Sequence, residues 1–357
     1  QDYYPNEPVP GAIAFARGPA KTSAGVRGDI LQMVGHDGRF TFHGVPMSKI
    51  AYYGFGMEGF LLRPEDGEII MAPDLGQSGA QAFPIDQVPD AQQKTIRVVV
   101  FPCKAMSLYD LVDQRQFMFL NTVSVLNAVS NASPFSWGMS LPEPSRQWQS
   151  YLEPVAVVYG KSGEQLKFGF GLSVLGNRFL LLNGTRDDPM GKGYDLGQNP
   201  ILYPLPRRVA EDMWYLNESR IETLRGYGIK NKRMEELHAG AWEALAQADA
   251  ARKALRYDEF FRYLREALGY ETKVYPDVMK TTMDVVKGVI FYLALLLPFS
   301  FFCERLFFAS MTMGRQILGC AVFFLAIFCV LWVVHPAFQI TRAPLIVLLA
   351  FVMMTLT

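Results

Sequence analysis

Apolar and polar positions alternate in short runs through the first part of the chain. The segments GAIAFAR, GDILQMV, RFTFHGV and EGFLLR carry that alternation between turn residues, which predicts β-strands. In GHDGRFTFHGVP the Asp37-Gly38 pair suits the positive φ angles of a tight hairpin turn. Phe40 and Phe42 then fall on one strand face, Arg39 and Thr41 on the other, and Gly44 and Pro46 end the strand. A second strand-rich region runs from about Lys94 to Leu205. TIRVVVFP is a continuous β-branched run of the kind buried on both faces, and VAVVYG, LKFGFGLSVLG and RFLLLNGT follow it between turns. The spacing predicts another antiparallel sandwich. AVSNASPFSWGMSLPEPSRQW reads as a loop whose aromatics, Phe135, Trp137 and Trp148, are expected to fold back on the sheet.

After YPLPRR the period changes. From Val209 to about Tyr270, Gly and Pro become scarce and Ala, Glu, Leu and Arg dominate. Met234, Leu237, Ala241, Leu245, Ala248 and Leu255 recur mostly three and four residues apart, an apolar stripe along a helix. Gly226 and Gly228 are expected to separate a first helix from a second over Asn231–Tyr270, roughly 60 Å long if continuous. Pro276 is expected to interrupt it, with Asp277 or Thr281 capping the helix that follows.

The third texture is apolar on every face. VVKGVIFYLALLLPFSFFCERLFF has no charge from Gly288 to Cys303, ILGCAVFFLAIFCVLWVV has none from Ile317 to Val334, and APLIVLLAFVMMTLT begins a third such run. A span needs about 20 residues, and Lys287 at the near edge of the first run is able to snorkel. Three such runs in close succession predict membrane insertion. Pro298 is tolerated inside a span as a kink, where Ser300 or neighbouring helices satisfy the freed carbonyl. Glu304-Arg305 is expected as an ion pair at the membrane boundary; the alternative is a functional charge inside the membrane. Arg305 and Arg315 place the first turn in the cytoplasm, leaving the N-terminal part outside. Trp332, Tyr292 and Tyr275 fit interfacial positions.

Composition adds limits. The chain of 357 residues balances 34 basic against 34 acidic side chains, which gives no reason to expect nucleic acid as a partner. Cys103 is alone outside the apolar region, so neither an intradomain disulfide nor a zinc-type pattern is available to the exterior. The initial Gln1 reads as a mature terminus after removal of a signal peptide, and the chain is expected to continue past Thr357. His36, His43, His238 and His335 have no Cys, Asp or Glu at metal-ligand spacing and read as surface or structural. GLSVLG is not a nucleophile elbow, PMGKGYD lacks the phosphate-loop spacing, and Asn183, Asp187 and Asp188 read as a solvated turn before a calcium loop. No catalytic, cofactor or metal site is therefore expected.

Two resemblances refine this. GHDGRFTFHGVP resembles the D-G-R-F-x-F-x-G-x-P segment of carboxypeptidase-regulatory-like domains, which implies a β-sandwich used as a structural or binding module. DDPMGKGY, EDMWYLNESRIETLRGYGI and YPDVMKTTMDVVKGVIFYLALLLPFSFFCERLFF, within a stretch from about Val98 to Thr357, resemble bacterial envelope proteins of the FtsX-like, ABC-transporter-permease type. That resemblance implies a periplasmic module passing binding or mechanical signals through membrane helices to a separate ATPase. The four spans, cytoplasmic coupling region and nucleotide-binding motif of a full permease system are not in this sequence.

The expectation is a multidomain membrane protein. N-terminal all-β sandwich-type domains (1–93 and 94–205) precede an α-helical stalk or bundle (206–282) and transmembrane α-helices (283–357, with spans near 285–303, 317–334 and 343–357). Its expected role is non-enzymatic. The exterior binds or braces a partner at the bacterial cytoplasmic membrane, and the lipid bilayer and other membrane subunits are the contacts. The alternative is an accessory subunit of a large membrane complex.

Overall fold

A computed structural model describes residues 7–17, 29–43, 56–81, 97–113, 118–120, 122–140, 155–171, 177–335 and 337–338. The third expected span (343–357), Gly44, Pro46 and Trp148 lie outside these residues. Fifteen strands and four helices follow in chain order among them. The strands are β1 (Ile13–Arg17), β2 (Asp29–Met33), β3 (Gly56–Leu62), β4 (Ile69–Pro73), β5 (Val100–Pro102), β6 (Lys104–Tyr109), β7 (Val112–Asp113) and β8 (Met118–Phe119). After them come β9 (Thr122–Asn127), β10 (Gly138–Ser140), β11 (Val155–Gly160), β12 (Gln165–Gly171), β13 (Asn177–Leu181), β14 (Tyr194–Asp195) and β15 (Ile201–Leu202). The helices are α1 (Leu205–Gly226), α2 (Lys232–Lys253), α3 (Tyr257–Phe307) and α4 (Met313–Val334).

The expected boundary between residues 93 and 94 falls inside a sheet. The first sheet has the order β2-β1-β3-β4-β5 and is antiparallel, so β5 pairs with β4 across that boundary. Its apolar face shares one core with the second sheet, β10-β11-β6-β15: Phe60, Ala72 and Phe101 pack with Cys103 and Tyr159, flanked by Phe15, Ile69, Ala105 and Val157. A sheet with one apolar face must cover it, and here the two sheets cover each other. The second sheet is not purely antiparallel. β15 runs parallel to β6, which the long excursion through β7 to β14 permits. β12 pairs with β9, β13 and β14 in a third sheet, and β7 pairs with β8. RFTF is not a strand. Gly38 does take the positive φ of 73° expected of the turn, and the Phe40 and Phe42 rings meet at 5.6 Å.

By contacts the chain divides into two compact units, Gln1–Tyr215 with Ala244–Gly269 and Leu216–Glu243 with Tyr270–Thr357. The helix boundaries follow capping chemistry. After α1, the amide of Gly228 (φ 77°) bonds Arg225 and that of Ile229 bonds Leu224, the paired closure that glycine favours. Asn231 caps α2 through Oδ1, which accepts the Met234 amide at 3.2 Å. The long second helix expected over Asn231–Tyr270 is instead broken at Leu255. The amides of Leu255 and Arg256 bond Arg252 and Ala251, the same closure with a leucine at φ 57°.

Pro276 does not interrupt the chain's helix. It lies inside α3, a helix of 51 residues that also contains Pro298. Val274 and Val278 on either side of Pro276 are fully buried against Ile221, Leu224 and Met234. That packing outweighs the cost of about 3 kcal/mol for a mid-helix proline. Asp277 and Thr281, expected as caps, are consequently mid-helix, where the Thr281 hydroxyl donates to the Asp277 carbonyl at 2.9 Å.

Candidate functional site

The two longest apolar stretches form a helical hairpin. Among the described residues α3 and α4 are long and apolar enough to cross a membrane. Val289, Leu293 and Leu296 of α3 pack against Phe328 of α4 and against Phe338. Tyr292 lies 4.7 Å from His335 at one end, and Phe307 and Phe308 lie 5.8 and 5.7 Å from Phe323 toward the other, so the helices run antiparallel. Outside that seam, Phe291, Leu295, Phe299, Phe302 and Leu306 are all more than half exposed.

The residues expected at the membrane boundary fall at the two ends of this hairpin. Lys287 is exposed on α3 and pairs with Asp284 at 3.1 Å. Trp332 stands in the last turn of α4, its ring 5.9 Å from Phe328. Glu304, Arg305 and Arg315 gather at the turn, and Lys287 to Glu304 spans roughly 26 Å of helix, close to the roughly 30 Å of a hydrocarbon core. Pro298 sits between. Its ring removes the amide that would bond Ala294, and the Ser300 hydroxyl bonds Leu296 at 2.7 Å rather than the freed carbonyl.

Glu304 is fully buried. Gly319 of α4 makes the room, since a Cβ there would lie 2.8 Å from the Glu304 Cγ. The Glu304 main-chain carbonyl accepts the Phe308 and Ala309 amides, and its Oε1 accepts the Ser310 amide at 3.0 Å. Arg305 Nε is 3.9 Å from Oε2, beyond hydrogen-bond length, while its guanidinium lies over Phe301 and is half exposed. The carboxylate thus closes the end of α3 rather than forming a tight surface ion pair.

A second polar group is enclosed where α1, α2 and α3 meet. His238 of α2 is 3 % exposed. Its Nδ1 lies 2.8 Å from Glu271 Oε1 and its Nε2 lies 3.0 Å from Glu218 Oε2. Asn217 Nδ2 donates to the other Glu271 oxygen at 2.7 Å. Glu218 Oε1 is 3.7 Å from Arg225, whose Nε is 3.5 Å from Glu235. Burial pushes the Glu271 carboxyl above its ordinary value, against the pull of His238 and Asn217. The sequence predicts a surface or structural role for His238 and does not reveal its partners, which lie on other helices. A signal was available: His238 falls on the same stripe as Met234, Ala241 and Leu245, and Glu271 falls between Leu268 and Val274.

Asp212 of α1 accepts the amides of Leu182 at 2.7 Å, Asn183 at 3.0 Å and Gly184 at 2.9 Å, and the Tyr194 hydroxyl at 2.9 Å. These amides, which would suit an anion, are filled by the protein's own carboxylate, and they fix the base of the DDPMGKGY loop. Burial pushes the Cys103 thiol up to about 12, so it is not a nucleophile at neutral pH. Phe135 is 56 % exposed with the Lys161 ammonium 5.8 Å from its ring, whereas Trp137 is half-buried. Among the described residues no three His, Cys, Asp or Glu side chains are grouped to hold a metal ion. No family model, curated protein or solved structure matches the chain.

Proposed function

We propose that the protein is a membrane-anchored, non-enzymatic envelope component, a permease-like subunit. Its β-sheet part binds or braces a partner outside the bacterial cytoplasmic membrane, and its helices couple that part to the bilayer. The observation that carries this reading is the continuity of α3. One unbroken helix of 51 residues begins in a polar, packed helical region and ends in an apolar stretch whose large side chains stay uncovered. A helical connection is stiffer than a flexible linker and passes on displacement that such a linker would absorb. Arg305 and Arg315 beside the turn support a cytoplasmic turn and an external N-terminal part. The motif resemblance to FtsX-like permeases points to a separate ATPase as the inner partner.

Alkaline extraction and protease protection of intact spheroplasts test the reading together. The chain is expected to stay in the membrane fraction while its β-sheet part is digested from outside. Release by alkali, or protection of the β-sheet part, would sink it. Purification in mild detergent separates the two kinds of subunit. Co-purification with an ATPase supports the permease-like role, and stoichiometric co-purification with a non-transport complex replaces it with the accessory one.

A further inference from the structure

The contacts of His238 impose a proton count. A neutral imidazole carries one N–H and a carboxylate carries none. Yet Nδ1 and Nε2 both lie at hydrogen-bond distance from carboxylate oxygens, 2.8 Å from Glu271 and 3.0 Å from Glu218. Both contacts persist only while the trio holds two protons, as an imidazolium between two carboxylates or as an imidazole beside one carboxylic acid. Loss of one proton sets a ring lone pair against an anion, and one contact must open.

The surroundings decide which. Glu271 of α3 is sealed from solvent and held by Asn217 of α1. The Glu218 side chain on α1 is 26 % exposed, so its carboxylate is able to turn to water or toward Arg225. Glu235 of α2 lies on the far side of Arg225, 3.5 Å from its Nε. We propose that His238, Glu218 and Glu271 form a proton-operated clamp, which ties α2 to both α1 and α3 when it holds two protons and frees α2 from α1 when it loses one. Because α3 runs on into the apolar hairpin, the clamp acts on the helix that the proposed coupling uses. The clamp itself does not depend on the membrane reading.

Hydrogen exchange of the full chain in detergent micelles, read by mass spectrometry over residues 232–243 from about pH 5 to about pH 9 and corrected for intrinsic exchange, tests it. Protection of this part of α2 is expected to fall about tenfold as pH rises, the loss of one charge-assisted hydrogen bond. Glu218→Gln should flatten the profile. Its amide donates to Nε2 of a neutral imidazole, whose Nδ1–H still donates to Glu271, so no ionisable second proton is needed. A flat wild-type profile overturns the proposal, as does a Glu218→Gln profile that falls like the wild type. Should Glu218→Gln not fold, Glu271→Gln supplies the amide on the Nδ1 side and is held to the same outcome.

Discussion

Replacing Leu295 by lysine has opposite consequences in water and in a bilayer. Leu295 is 51 % exposed on the apolar part of α3. For a helix in water, exchanging an exposed leucine for lysine lies within about 0.5 kcal/mol of neutral and improves solubility. In a membrane the position is near the midplane, since it stands roughly 12 Å of helix from Lys287 and roughly 13 Å from Glu304. A lysine side chain does not snorkel that far with ease. At the helix centre leucine favours insertion by about 0.5 kcal/mol and lysine opposes it by about 3 kcal/mol, a swing of roughly 3–4 kcal/mol or several hundredfold. Because α4 would still anchor the chain, extraction alone would not register the change, and the readout must be the side on which the turn emerges. A single cysteine at Met311, fully exposed in that turn, reports it through labelling with a membrane-impermeant maleimide in a chain whose native cysteines are replaced. The expected result is that Leu295→Lys moves the label to the other face, while Trp242→Lys at an exposed site on α2 does not. A membrane-bound Leu295→Lys chain with its turn on the original side would refute the reasoning, as would a gain in soluble protein.

Four further outcomes are expected. Gly319→Val drives a side chain into the Glu304 Cγ, 2.8 Å from the Cβ position, and should cost about 1–3 kcal/mol as a lowered Tm and faster cleavage of the hairpin turn. Asp212→Asn places an amide donor among backbone donors and should cost about 3 kcal/mol, read by denaturant unfolding and by proteolysis between Leu182 and Tyr194. Leu255→Gly relieves a left-handed leucine that is 70 % exposed and should stabilise by about 0.5–1 kcal/mol in the same unfolding assay. The folded Glu271 carboxyl is raised, so the folded state binds more protons than the unfolded one. Its contribution is then full below the ordinary glutamate range and is lost as pH rises through the raised value. A plot of stability against pH should accordingly slope downward through that window, and Glu271→Gln should flatten it.

Much of the architecture was legible because it rests on local pattern. GAIAFAR, GDILQMV and VAVVYG each contain a strand, EGFLLR holds most of one, and the helical texture from Val209 to Tyr270 covers α2 and all of α1 but its first turn. What failed was everything that depends on distant partners. TIRVVVFP reads as the start of a separate sandwich, yet β5 joins β4 because the face formed by Phe60 and Ala72 needs Phe101 over it. Pro276 reads as a stop, and local propensity does favour one; the buried valines around it decide otherwise. The break at Leu255 carried no glycine or proline to announce it. His238, Glu218 and Glu271 are separated by 20 and 33 residues, too far for any spacing rule.

The three buried carboxylates of the helical part show why only one junction is suited to sense protons. Asp212 and Glu304 both spend hydrogen-bonding capacity on main-chain amides, three of them for Asp212 and the Ser310 amide for Glu304. A backbone amide donates at every physiological pH, so these contacts answer only to protonation of the carboxylate itself. Glu271 accepts from side chains, Asn217 and His238, and an imidazole, unlike a backbone amide, changes its number of N–H donors when it gains or loses a proton. A carboxylate held by amides behaves as a fixed closure for a loop or a helix end. A carboxylate held by an imidazole that also serves a second carboxylate is a joint whose strength follows proton supply. That joint lies on α3 ahead of the apolar stretch rather than within it, and the partly exposed Glu218 gives water a route to it.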